Sequence, residues 1–295
     1  MGRLFPGHEF YMLPTTRESV SYPDRFPYPG FTSVELTSGH EQAPPESARA
    51  LVVRAAQEAL GDRRRAAADL VLVVDDIELE NAAQPERVVA VMRKAVEVHL
   101  SGLGQAQVQD KTRQRLRDRV SFHLLAPMIE AWFFADRRAL TRAGVPAEAT
   151  VCFDEATDPE AFETADGRYL NATEADCPTL AALPLQKKKK LRPKWLGVLP
   201  RERHPKGYLQ WLCRVPNARS CTGYSESEDG GAALANIRWE VLFARADTHF
   251  GFLRALVEDL EDGLGCPSAL GPVVGAVSRL TARSNAPRDA VLRNI

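Results

Sequence analysis

The run Leu70-Val71-Leu72-Val73-Val74-Asp75-Asp76-Ile77-Glu78 constrains this chain more than any other stretch, because an unbroken aliphatic segment ends in three carboxylates. Five aliphatic residues without polar alternation read as a strand covered on both faces. In open α/β sheets the ligand site lies just beyond the carboxyl ends of such strands, so these acids fall where chemistry is placed. Asp75, Asp76 and Glu78 repel one another unless a positive charge neutralises them, and hard oxygen donors of this kind suit Mg²⁺ or Mn²⁺. A plain strand-to-loop turn, for which Asp is well suited, is the competing reading.

The 295 residues suffice for one large domain or two modest ones. No apolar stretch approaches the ~20 residues that span a bilayer. The start of the chain, with Pro6, His8 and Glu9, lacks the basic and apolar regions of a leader peptide, so a cytoplasmic protein is expected. Cys152, Cys177, Cys213, Cys221 and Cys266 show no CxxC spacing, which indicates neither a zinc knuckle nor a disulfide framework; reduced cysteines are expected.

Formal net charge is only -1, but it is unevenly spread. Residues 184–220 hold eleven Lys or Arg against one Glu, densest at Lys187, Lys188, Lys189, Lys190, Arg192 and Lys194. Such a segment can neutralise phosphates, and Trp195, Tyr208 and Trp211 among the charges offer stacking surfaces for bases. A solvated loop with aromatic core residues is the alternative.

Residues 1–30 are proline-rich and irregular apart from a short strand at 9–13. A β-like segment at Phe31–Leu36 leads to a helix over Glu46–Leu60, stopped by Gly61, with Ala48, Leu51, Val52 and Ala55 on its apolar face. The strand at 70–74 follows. Next comes a helix opened by Pro85, with Val88, Val89, Met92, Val96 and Leu100 at helical spacing. A polar helix through Arg119, a strand at Val120–Leu125 and a helix at Met128–Leu140 continue a parallel α/β pattern. Residues 146–183 read as an acidic insertion. Phe250, Leu253, Leu256, Val257, Leu260 and Leu264 mark one face of a helix, and 267–295 read as a short helix and frayed tail.

Glu130 stands in the first turn expected after Pro127, where it can join the rim of Asp75 and Asp76 or merely favour the helix dipole. The ordered features resemble the toprim fold, and within it the small toprim-like proteins of bacterial mobile-element and antiphage-defence loci. The resemblance rests on the strand ending in Asp75-Asp76-Ile77-Glu78 and on Glu130-Ala131-Trp132-Phe133-Phe134-Ala135-Asp136. His204-Pro205-Lys206-Gly207-Tyr208-Leu209, Tyr224 with Glu226 and Gly230, and the Phe250–Leu264 helix add to it. It covers roughly residues 31–265.

It implies a Rossmann-like parallel sheet flanked by helices: a core over 31–145, a basic insertion over 146–220, and C-terminal helices over 221–295 packed on the core. It also implies Mg²⁺- or Mn²⁺-dependent phosphodiester cleavage, DNA before RNA, and an ATPase partner. Carried over residue by residue, the Asp-x-Asp pair falls on Asp76 and Glu78, or begins at Asp75. The first-strand acid falls on Glu35 or Glu41, because Val34-Glu35-Leu36 departs from the usual Glu-Gly pair. Glu130 would be a further ligand, and Lys206 and His204 would hold nucleic-acid backbone, unless His204 caps a helix or fills a core pocket. A non-catalytic adaptor that grips an ATPase and nucleic acid is the alternative. No GxxxxGK[ST] loop supplies ATP hydrolysis in this chain itself.

Overall fold

The computed structural model describes residues 1–10, 30–63, 66–182, 184, 186, 192–197, 200–214, 221, 223–271 and 280–295. Lys187, Lys188, Lys189 and Lys190, and most of the strand expected at 9–13, lie outside these residues. The chain forms two compact units, one of residues 1–125 and 251–295, the other of 126–250. The expected boundaries at 145/146 and 220/221 both fall within the second of these units.

The first unit is α/β. Helix α1 (Ser38–Gln42) precedes α2 (Glu46–Leu60), whose Ala48, Val52, Ala55, Ala56 and Ala59 form the buried face. Gly61 ends α2 with φ of 66°, a left-handed setting that glycine adopts without a Cβ penalty. Strand β1 (Val71–Asp76) is followed by a single turn, α3 (Glu78–Asn81), and by α4 (Pro85–Ser101), with the proline at the first position, where no amide partner is needed. The polar α5 (Ala106–Arg119) buries only Thr112 and Leu116 and leads into β2 (Val120–Leu125).

β1 and β2 pair in parallel, Val71 beside Val120 through Asp76 beside Leu125, as the only two strands among the described residues. β2, not β1, is the fully covered strand: all six of its residues are buried, whereas Val74 of β1 is 42% exposed. The expectation of a doubly covered β1 fails at Val74, whose side chain is left exposed on its face of the sheet. The other edge of β2 is closed by the chain's last residues. Arg293 N–H donates to Val120 O, Asn294 Oδ1 accepts from Phe122 N–H, and Asn294 Nδ2 donates to Phe122 O. The segment expected to fray is therefore tied down. Behind β2, His123 and Asp259 of the Gly251–Leu264 helix meet at 3.2 Å, both fully buried. Burial alone would raise the Asp259 carboxyl, but the His123 hydrogen bond and the Arg293 charge hold it below the usual carboxylate range.

The second unit is built of short helices around aromatic side chains. The helix expected at Met128–Leu140 is instead a 3₁₀ run, Ile129–Ala135, and a separate helix, Arg137–Arg142. Asp136 breaks it by capping the second helix: it accepts from Arg138 N–H and binds Arg238 through the backbone N–H at 2.8 Å and Nη2 at 2.6 Å. Residues 130–135 are all buried, so this run has no solvent face for an amphipathic helix to present. Phe134 stacks on Tyr208 at 5.6 Å between ring centroids and also packs on Phe162 at 4.8 Å. Cys177 and Cys221 form a disulfide, correcting the expectation of five reduced cysteines; they meet through tertiary packing across 44 positions, which no spacing motif announces.

Candidate functional site at the carboxyl end of β1

The segment expected as a first strand, Phe31–Leu36, is not one; it crosses the end of β1 and is held there by side chains. Thr32 Oγ1 donates to the Asp76 carbonyl at 2.5 Å and lies 3.2 Å from Asp75 Oδ2. Asn81, buried in α3, donates through Nδ2 to Thr32 O (2.8 Å) and Val34 O (3.0 Å), and its Oδ1 accepts from Leu36 N–H (2.9 Å). Gln84 Nε2 donates to Leu36 O and to Asn81 Oδ1. One amide side chain thus does for residues 32, 34 and 36 what a neighbouring strand would do. The exposed Glu35 belongs to this held segment. Glu41, the other candidate for the first acid, is bound by Arg87 Nε at 2.7 Å.

Asp75 is half-buried beneath the same segment. A Cβ on Gly30 would stand 2.7 Å from Asp75 Oδ1, so only glycine fits there without displacing the carboxylate. Burial pushes the Asp75 carboxyl up to about 6, and the Glu78 charge adds to this against the Thr32 and Phe31 hydrogen bonds. Glu78 has φ of 57°, a left-handed conformation that is uncommon for a residue with a Cβ. Asp75 and Asp76 end β1 and Glu78 opens α3 just beyond it; Thr32 and Gly30 meet Asp75, and Asn81 holds the segment that leads on from them. Those three carry no sequence signature, since each acts through a contact more than 40 positions away.

Among the described residues no three His, Cys, Asp or Glu side chains are grouped to hold a metal ion. The donor chemistry still suits Mg²⁺, which is commonly held by one or two carboxylates with substrate phosphate and water completing its shell.

Glu130 belongs to the second unit, where it is 4% exposed. Tyr224 O–H donates to its Oε1 at 3.3 Å, and Lys206 Nζ lies 4.0 Å from it and 2.6 Å from Glu226. Burial raises the Glu130 carboxyl, Glu226 adds to this, and Lys206 opposes it. A Cβ on Gly230 would stand 2.8 Å from the Tyr224 hydroxyl, which explains the glycine.

The basic segment differs from expectation. Trp195, Tyr208 and Trp211 are buried, so they are core and not stacking surfaces. His204 is buried and caps the Pro205–Leu212 helix, its Nδ1 accepting from Gly207 N–H at 2.9 Å, the capping alternative named for it above. Burial, then the Lys194 and Lys206 charges, lower its pKa to about 4, in keeping with an acceptor nitrogen. Arg192 and Lys194 are exposed, though Arg192 Nη2 also donates to Leu196 O. No helix among the described residues is long and apolar enough to cross a membrane.

No protein-family model, curated protein or solved structure matches the chain.

Proposed function

We propose that the chain is a toprim-like, Mg²⁺- or Mn²⁺-dependent nuclease, acting on DNA before RNA, whose site is the acidic end of β1. The observation that carries this reading is that Asp75 and Asp76 end a parallel strand and Glu78 follows just beyond it, with the Glu35 segment bonded across through Thr32 and Asn81. Asp76 and Glu78 are the residues that would hold the cation. When bound, the ion would draw charge from the scissile phosphate and make the attacking water more acidic. Glu35 would accept the proton from that water, as a general base on a segment held in place. Arg192 and Lys194, with the lysines at 187–190, would attract phosphates without regard to sequence. The bacterial defence or mobile-element setting and the ATPase partner rest on the resemblance alone.

The second reading is a non-catalytic adaptor that binds an ATPase and nucleic acid. It draws on the lack, among the described residues, of a three-residue metal group. The test is cleavage of labelled plasmid, linear DNA and RNA with Mg²⁺ or Mn²⁺, beside Asp76→Ala and EDTA controls. Metal-dependent cutting lost in the variant supports the nuclease, and nucleic-acid binding without cutting supports the adaptor.

A further inference from the structure

We infer that Asn81 is the positioning residue of this site, the group that fixes Glu35 across the acidic end of β1. The inference rests on the nuclease reading for its consequence, but its geometry stands by itself. Residues 32, 34 and 36 turn their peptide groups toward one side, as in a strand, yet no strand among the described residues receives them. Asn81 satisfies three of those groups: two carbonyls from its amide nitrogen and one N–H from its oxygen. A buried polar group left without these partners is costly, so the amide and the segment hold each other.

The clamp is also oriented. Gln84 donates to the same Asn81 oxygen and to Leu36 O, and Arg87 donates to Gln84 Oε1 and to Leu36 O. Asn81, Gln84 and Arg87 lie three residues apart, on one side of the chain leading from α3 into α4. The far end of the held segment is bonded by Thr32 to Asp76 O. Glu35 therefore sits between two fixed points, one on the acidic strand end and one three residues beyond Glu78. Asn81 touches no reacting atom in this scheme and acts only through Glu35.

The test uses the full chain with three changes: Asn81→Asp, Glu35→Gln and both together. Aspartate keeps the acceptor for Leu36 N–H and the size of the side chain, but loses the donors to Thr32 O and Val34 O. Misplacing a catalytic group by about 1 Å can lower a rate about 100-fold. Asn81→Asp is thus expected to cut cleavage about as far as Glu35→Gln does, with most of the loss in kcat, and the double variant is expected to be no slower than either single one. Multiplying losses would overturn the positioning role.

Amide hydrogen exchange read separately at residues 33–36 and in α2 and α4 judges the clamp apart from catalysis. Faster exchange confined to 33–36 in Asn81→Asp supports it; no change there, or equal loosening of α2 and α4, overturns it. If the native chain cuts nothing, the nuclease reading falls while the exchange result still decides the clamp.

Discussion

Glu78 holds a left-handed backbone that costs an ordinary residue roughly 1–2 kcal/mol, a strain that the proposed nuclease site accounts for by using its carboxylate there. Glu78→Gly is therefore expected to raise stability by up to about 1 kcal/mol in denaturant melts while abolishing metal-dependent cleavage. A destabilised variant, or one that cuts normally, would contradict this account of the residue. His204 supplies a pH test. In the folded chain its pKa is about 4 against an ordinary 6.5, so between these values the unfolded chain binds the extra proton. Its contribution is fully present above pH 6.5 and is lost as pH falls toward 4, by roughly 3 kcal/mol at the foot of that window. Asp75, raised to about 6, acts with the opposite sign over an overlapping range. The measurement is consequently the difference between native chain and His204→Asn, in which Asp75 cancels. Asparagine is a good cap, so the two should be of similar stability at pH 7 and the variant should lose less on acidification. Equal losses would contradict the assignment.

At the scale of elements, β2 is held between β1 and the chain's last residues. Asn294→Ala leaves the buried N–H and C=O of Phe122 without their partner, and about 1–3 kcal/mol of stability should go with each, read from denaturant unfolding. A change under 0.5 kcal/mol would show that the edge closes without it. How far such elements were legible depended on where their bonds go. α2 and α4 satisfy their peptides internally and β2 pairs along one edge with β1, and the spacing of Ala48, Val52, Val88 and Met92, or the run Val120–Leu125, announces them. Phe31–Leu36 reads as β because three of its peptide groups are satisfied in strand fashion, but the partner is the Asn81 side chain, 45 positions from Leu36. The Met128–Leu140 helix misled for a related reason. Its apolar run is right for burial, and the break comes from Asp136 answering Arg238, 102 positions away.

For the whole molecule, composition marked changes of charge, whereas the unit boundaries follow packing. Phe134, on the expected core side of position 145, stacks on Tyr208 from the basic segment, so these stretches belong to one body. Because 126–250 is contiguous and carries its own buried aromatic cluster, we expect this segment alone to melt cooperatively with near-native helix content; a non-cooperative transition would contradict its independence. The acidic strand end was legible in Asp75, Asp76 and Glu78, while the groups that arrange it were not. The measurement that bears most directly on the central claim is cleavage of labelled DNA by the full chain with Mn²⁺ or Mg²⁺, beside Asp76→Ala. Cutting that needs the ion and disappears in a folded Asp76→Ala is the result expected. Failure of the native chain to cut, or equal cutting by the variant, would contradict catalysis at the end of β1.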